Sequence, residues 1–318
     1  MRLKPKRTVL FGVPLLAVAA AAWLALPGPD SRPAAVNEKM ASVPARALAR
    51  GWAEFSGNRR GKVVFSRPPR MLRLDLASGR EEVIPGVETA GAAGRRARGA
   101  SPRPSWAPDG ENFVYRFRGQ VYVCDESGRR RAVANPRMDR SDETRWTWHR
   151  ESGGDWLAGP SLDGDVILVK VSDPREVRTA YSGGNVRKHC EITGNGRFVV
   201  FDDGAHIQAV PFAGRGRGVR LSQGQSCRPC AAADDRAAWL PSPHDRYRIF
   251  RATDGRFLGD LLAPPGEEIY RLNWSNLPDF AVHMYGADGI TRMHVRKIST
   301  GASLFIGSGW DPDLWVGP

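Results

Sequence analysis

Residues 103–128, RPSWAPDGENFVYRFRGQVYVCDESG, constrain the fold more than any other part of the chain, because worn copies of the stretch recur downstream. It parses as short strands separated by turns. Residues 103–106 form a short apolar-ended run, Pro108-Asp109-Gly110 is a tight turn, and Phe113-Val114-Tyr115 is a β-branched and aromatic run suited to a pleated surface. A break at Arg118-Gly119-Gln120 leads into Val121-Tyr122-Val123, which Ser127-Gly128 closes. Turn dipeptides recur at Asp109-Gly110, Asp163-Gly164, Asn195-Gly196 and Asp234-Asp235, with Leu277-Pro278 as a degenerate fifth, at a mean spacing of 42 residues. The glycine ending the third strand recurs at Gly79, Gly128, Gly214, Gly255 and Gly301, and the one long gap, of 86 residues, holds a missing copy near residue 171. The chain therefore carries six units.

A repeat of this length with four short strands is the signature of a propeller blade. SWAPDG followed by a strand, a second strand and an S-G or D-G turn also resembles the repeat of the TolB-like six-bladed β-propellers. The likeness is sharp over residues 101–128, partial over 187–214, 226–255 and 270–301, and faint over 61–80 and 156–182. The expected fold is all-β: a six-bladed β-propeller of four-stranded antiparallel blades over residues 51–318, long enough for one core without a second domain. Ring closure removes long exposed strand edges. Residues 52–55 are expected to pair beside the last blade, at residues 303–306, and seal the ring.

Ahead of the propeller, Arg2, Lys4, Lys6 and Arg7 flank a 19-residue apolar run at 8–26, followed by Pro27-Gly28-Pro29-Asp30. That pattern is a secretory signal peptide or a signal-anchor helix with its N-terminus inside, assigned to residues 1–27. The run's length favours an anchor, while Ala19 to Ala22 offers a small-residue cleavage site. Both readings place the rest of the chain on the periplasmic or extracellular side, tied to the inner membrane if residues 8–26 are retained. Residues 28–50, rich in proline, alanine and isolated charges, read as a flexible tether.

The net charge of +13 includes four positives before the apolar run. Export argues against a nucleic-acid partner, and no stretch interleaves basic and aromatic residues in a nucleic-acid-binding pattern. The glycine-rich basic loop at 88–100 reads as a solvated connection between the first two units. Residues 138–156 read as an insertion, whose Trp146, Trp148 and Trp156, close to His149, could floor a sugar or an aromatic ligand or else belong to an aromatic core.

Counting back from each turn, the position of Arg103 is matched by Leu157, His189, Arg228 and Arg271. The strand before the turn is the innermost of a blade, so Arg103, His189, Arg228 and Arg271 would converge at one mouth of the channel. Convergent guanidinium groups can hold carboxylates bidentately. The alternative is that each bonds carbonyls or acids of a neighbouring blade.

Four cysteines remain. In an oxidising compartment Cys190 is expected to bridge to Cys227 or Cys230 and staple two adjacent blades, with Cys124 a small buried apolar residue. Zinc held by His189, Cys190, Cys227 and Cys230 is the alternative. Haem attachment is excluded because Ala231, not histidine, follows Cys230.

Catalytic signals are weak. There is no G-x-S-x-G elbow, phosphate-cradling glycine loop or H-E-x-x-H pair, and the acid pairs Asp202-Asp203, Asp234-Asp235 and Asp311/Asp313 read as solvent-facing turns. Two classes survive. One is a non-catalytic envelope module, without a cofactor, that presents its faces or channel mouth to a protein or an anionic polymer. The other follows from the family resemblance, which includes metal-assisted uronate lyases: an enzyme on acidic oligosaccharides, with His149 and His189 as base or metal ligand and Arg103, Arg228 and Arg271 as carboxylate clamps. The metal-ligand motif of those lyases is not recognisable here.

Overall fold

The computed structural model describes residues 42–89, 102–141, 144–186, 189–212, 218–222, 227–287 and 290–318, with the backbone alone at 227, 228, 287 and 290. The signal or anchor segment, the start of the tether and most of the 88–100 loop lie outside these residues, and no described helix is long and apolar enough to cross a membrane.

One helix, α1 (Ala45–Ser56), precedes the strands; it buries Leu48, Trp52 and Ser56 on one stripe at intervals of four residues. Gly57 ends it in the left-handed conformation, its N–H donating to Ala53 O. The propeller then winds through six four-stranded antiparallel sheets. Blade one contributes β1 (Gly61–Arg67), β2 (Arg70–Asp75) and β3 (Arg80–Glu88). Blade two is β4 (Ser105–Trp106), β5 (Asn112–Phe117), β6 (Gln120–Asp125) and β7 (Arg130–Val133). Blade three is β8 (Thr147–Glu151), β9 (Gly154–Pro160), β10 (Val166–Lys170) and β11 (Val177–Tyr181). Blade four is β12 (Cys190–Ile192), β13 (Phe198–Asp202), β14 (Ile207–Pro211) and β15 (Val219–Arg220). Blade five is β16 (Cys227–Ala231), β17 (Arg236–Leu240), β18 (Arg246–Arg251) and β19 (Phe257–Leu262). Blade six is β20 (Glu268–Trp274), β21 (Phe280–Ala287), β22 (Ile290–Lys297) and β23 (Ser303–Gly307). The last strand, β24 (Trp310–Val316), returns to blade one and pairs antiparallel with β1 as its innermost strand.

Closure thus differs from the sequence expectation. Residues 52–55 belong to α1 and pair with no strand; the C-terminal β24 seals the ring. The helix docks over the seam, where Trp52 and Leu48 join a cluster of blade-six and blade-one residues including Phe280, Val282, Val63 and Leu314. Blade three differs as well. Residues 147–151 are its innermost strand and not part of an insertion, so the Asp163-Gly164 turn joins the second strand to the third, and Leu157 lies in β9, away from the channel.

Blades bury both faces, which is why their middle strands are nearly continuous apolar runs. In β5, Phe113 and Tyr115 face blade one, where they meet Val64 and Trp315, and Val114 faces blade three, where it meets Leu157 and Ile167. The remaining seams repeat the pattern. Gly110 shows why the turn after the inner strand wants glycine: its φ is +73°, and a Cβ there would stand 2.4 Å from the Trp315 ring. The Trp315 indole N–H donates to Pro108 O (2.9 Å) in the same turn.

Candidate binding sites at the channel and the seam between blades two and three

The inner strands β4, β8, β12, β16, β20 and β24 surround the channel and run in one direction, so their first residues share one mouth. In a strand that lines a channel, every second residue points at the axis. Glu191 of β12, Asn273 of β20 and Asp313 of β24 do so, and all three are buried.

Arg145, two residues ahead of β8, reaches between them. Its Nη1 donates to Glu191 Oε1 and to Asn273 Oδ1 (2.7 Å), and its Nη2 donates to Asp313 Oδ1 (2.7 Å). Each carboxylate also accepts a backbone N–H from the following blade: Trp106 N donates to Asp313 Oδ2 and Ala231 N to Glu191 Oε2, both at 2.8 Å. Blades three, four, six and one meet at the guanidinium, and blades two and five join through the two carboxylates. Burial alone would lower the Arg145 pKa, but the charges of Glu191 and Asp313 overcome it and raise it. Burial pushes the Asp313 carboxyl up to about 7, against the lowering pull of Arg145 and the Trp106 N–H. Asp313 is therefore a buried strand residue, not a solvent-facing turn acid.

At the mouth, Arg271 is buried and its Nη1 donates to Asp311 Oδ1 of the neighbouring blade (2.7 Å). Arg103 and Asp311 occupy the same position ahead of their inner-strand polar residues, Ser105 and Asp313, and both adopt left-handed backbone, with φ of +43° and +50°. His189 directly precedes β12. Arg228 lies on β16, and its side chain is outside the described residues. An aromatic pair that the repeat alignment did not single out stands beside them: Trp310, 38% exposed at the start of β24, and Tyr270 of β20, with ring centroids 6.3 Å apart.

Strand alternation separates the expected aromatic set of blade three. Trp146 is buried in the seam with blade two, pressed against Gly159, with its indole N–H donating to Asp139 O (3.1 Å). Trp148 faces the same seam, half-buried, with its indole N–H on Ser105 O (2.9 Å). His149 faces blade four, where its Nε2 lies 3.3 Å from Glu151 Oε1 and its ring 5.3 Å from Phe212. Burial lowers the His149 pKa despite Glu151.

The expected cysteine staple is not formed: Cys124, Cys190 and Cys230 are buried free thiols, and the side chain of Cys227 lies outside the described residues. Cys190 packs into the seam between blades three and four, and Cys230 into that between blades five and six, so the two turn away from each other. Among the described residues no group of three or more His, Cys, Asp and Glu side chains is placed to hold a metal ion.

No protein-family model matches the chain, and no curated protein matches it. Solved structures do. TolB from Acinetobacter baumannii superposes with a TM-score of 0.57 at 14% identity, over 85% of this chain and 71% of that one. Putative TolB from Agrobacterium tumefaciens gives 0.56 at 12% identity, over 82% and 99%. A chain of the nidogen/laminin complex gives 0.55 at 9% identity, over 81% and 98%. Identities this low speak to the fold alone.

Proposed function

We propose that this chain, a TolB-like six-bladed β-propeller in fold, is a non-catalytic binding module of the cell envelope that takes an anionic group of a protein or polymer at its channel mouth. The observation that carries this reading is the Arg145 network. The charged groups in the middle of the channel are spent on one another and on backbone N–H groups, so the channel is a structural core whose surface offers recognition, not reaction. In this reading Arg103, His189 and Arg228 are the cations and hydrogen-bond donors around the mouth, Arg271 being buried and paired with Asp311 of the neighbouring blade, and Trp310 with Tyr270 supplies an apolar platform. Of the two histidines that the lyase alternative names, His149 is turned away from those arginines to Glu151 and Phe212. The basic flank and apolar run ahead of residue 27 support delivery to the envelope, with the membrane contacted through residues 8–26.

The test is photo-crosslinking in cells from a benzoylphenylalanine placed at position 310 of the full-length chain, with position 162, an exposed leucine, as control. A discrete adduct from 310 that Arg103→Glu abolishes is the expected result. No adduct from 310, or one that also forms from 162, contradicts a site at the mouth.

A further inference from the structure

We infer that the groove between blades two and three, which the channel-mouth reading does not use, is a saccharide-binding site with Trp148 as its platform. The groove encloses about 310 Å³, at the lower end of the range of roughly 300–1,000 Å³ in which small-molecule sites fall. Its lining includes Asn112, Asp125, Arg131, Trp148, Asp155 and Val171. Trp148 sits on the innermost strand of blade three and Arg131 on the outermost strand of blade two, so the groove runs outward along the seam. At ~4.8 Å per strand step, the three steps from β4 to β7 span about 14 Å. It opens on the face where the β4–β5 and β8–β9 hairpins turn, opposite the mouth that carries Trp310.

Three features select the ligand. The Trp148 indole is fixed by its N–H bond to Ser105 O (2.9 Å), leaving its half-buried ring as a rigid apolar surface, against which the C–H face of a pyranose packs. The second is hydrogen-bonding capacity. Neither the Asn112 amide nor the Arg131 guanidinium makes a side-chain bond to a described residue. They stand on the same blade face as Asp125, whose strand register places it directly opposite Asn112. A neutral amide, a planar fork of donors and a carboxylate side by side suit neighbouring hydroxyls, each of which both donates and accepts. The third is charge. Asp125 is held by Arg129 (2.7 Å), and Asp155 by Arg150 (2.6 Å), which also holds Asp109 (2.6 Å). Arg130, which also lines the groove, donates to Tyr115 Oη (3.3 Å) on the other face of blade two, so among the described residues Arg131 is the surplus cation on the groove's own face of that blade. That balance fits a neutral or singly acidic sugar and disfavours a polyanion or an acidic peptide.

The experiment is saturation-transfer NMR on the full-length chain in a detergent without a sugar headgroup, with trisaccharides of glucose, N-acetylglucosamine and galacturonate as probes. At least one is expected to show transfer to its ring protons. Asn112→Ala and Arg131→Met, both at the surface, should each weaken that binding tenfold or more; Trp148→Phe should reduce the transfer; Trp310→Ala should leave both unchanged. The inference is overturned if no trisaccharide shows transfer. It is also overturned if binding survives both Asn112→Ala and Arg131→Met. Galacturonate transfer that Arg131→Met abolishes while Asn112→Ala and Trp148→Phe leave it intact would reduce the groove to an anion site. An Asp/Glu-rich decapeptide bound through Arg131, with no trisaccharide bound, would assign it to a protein partner. Loss of binding in Trp310→Ala alone would move the sugar to the channel mouth, a result that leaves the mouth reading standing while this one falls.

Discussion

Glu191 and Asp313, on the inner strands of blades four and one, three blades apart around the ring, are tied to each other by one guanidinium, that of Arg145. Each of the two carboxylates accepts in turn the backbone N–H of the last residue of the next inner strand, Ala231 for Glu191 and Trp106 for Asp313. The two halves of the ring thus repeat the same connection about the channel. A propeller is otherwise held by apolar seams between neighbours, and here a single buried side chain connects blades that share no seam.

The helix is the seal on the closing seam. Trp52 is 1% exposed, its indole N–H donates to Arg59 O (2.6 Å), and a Cβ on Gly61 would stand 2.5 Å from its ring. Trp52→Ala should destabilise the propeller by about 3–5 kcal/mol, the usual cost of deleting a buried aromatic. Gly61→Ala should destabilise it too, by forcing the indole off its seat. Urea unfolding midpoints at unchanged slope measure both; a midpoint unmoved by Trp52→Ala would show that α1 is not part of the cooperative unit.

How much of this was legible in the sequence depends on which strands carry a local signal. Blade two could be read almost residue by residue, because Phe113, Tyr115, Val121 and Val123 alternate between two buried seams and Asp109-Gly110 marks the turn. The inner strands β8 and β24 could not. Thr147–Glu151 and Trp310–Val316 put polar residues where a seam-facing strand puts apolar ones, and β24 carries a proline between two aspartates, the second of which faces the channel. Asp313 therefore looks like a turn residue until the ring is closed, and Arg145 like one arginine among many. Their partners lie 46, 128 and 168 residues from Arg145, a separation that no local pattern reports.

The thiols give a direct test of the seam packing. Burial pushes Cys124 up to about 12 and pushes Cys190 and Cys230 well above the ordinary thiol range, so none is a thiolate near neutral pH. In a Cys227→Ser background the native protein should show no fast-reacting thiol toward Ellman's reagent at pH 8, and three after denaturation. Fewer than three after denaturation without reductant would mean a bridge that this packing does not contain.

Acid should loosen the propeller through its histidines. Burial lowers the pKa of His149 and of His283, and holds His294 down to about 4. The unfolded chain, with histidines near 6.5, then binds more protons than the folded one. The stability these residues contribute is full above about pH 6.5 and is lost as pH falls toward the folded values. Asp313, raised to about 7, works in the opposite sense, since its contribution falls as pH rises from about 4 to 7. Three histidines against one carboxyl leave a net loss on acidification. His283 is fully buried with neither ring nitrogen hydrogen-bonded to a described residue, so His283→Leu should raise stability by about 1–2 kcal/mol and flatten the acid limb. Unfolding midpoints at pH 5 and pH 8 test this; a wild-type chain more stable at pH 5 would contradict it.

The most direct measurement of the channel-core account is the thermal midpoint of Arg145→Met, alone and combined with Glu191→Gln and Asp313→Asn. Removing the guanidinium alone strands two buried carboxylates and should cost about 3–5 kcal/mol, a fall on the order of 10 °C for a domain of this size. Neutralising both acids in the same chain should recover a large part of that loss, because the charges left behind, not the missing bond, carry most of it. A single variant with an unchanged midpoint, or a triple variant no better than the single, would contradict the assignment of Arg145 as the tie that joins the six blades.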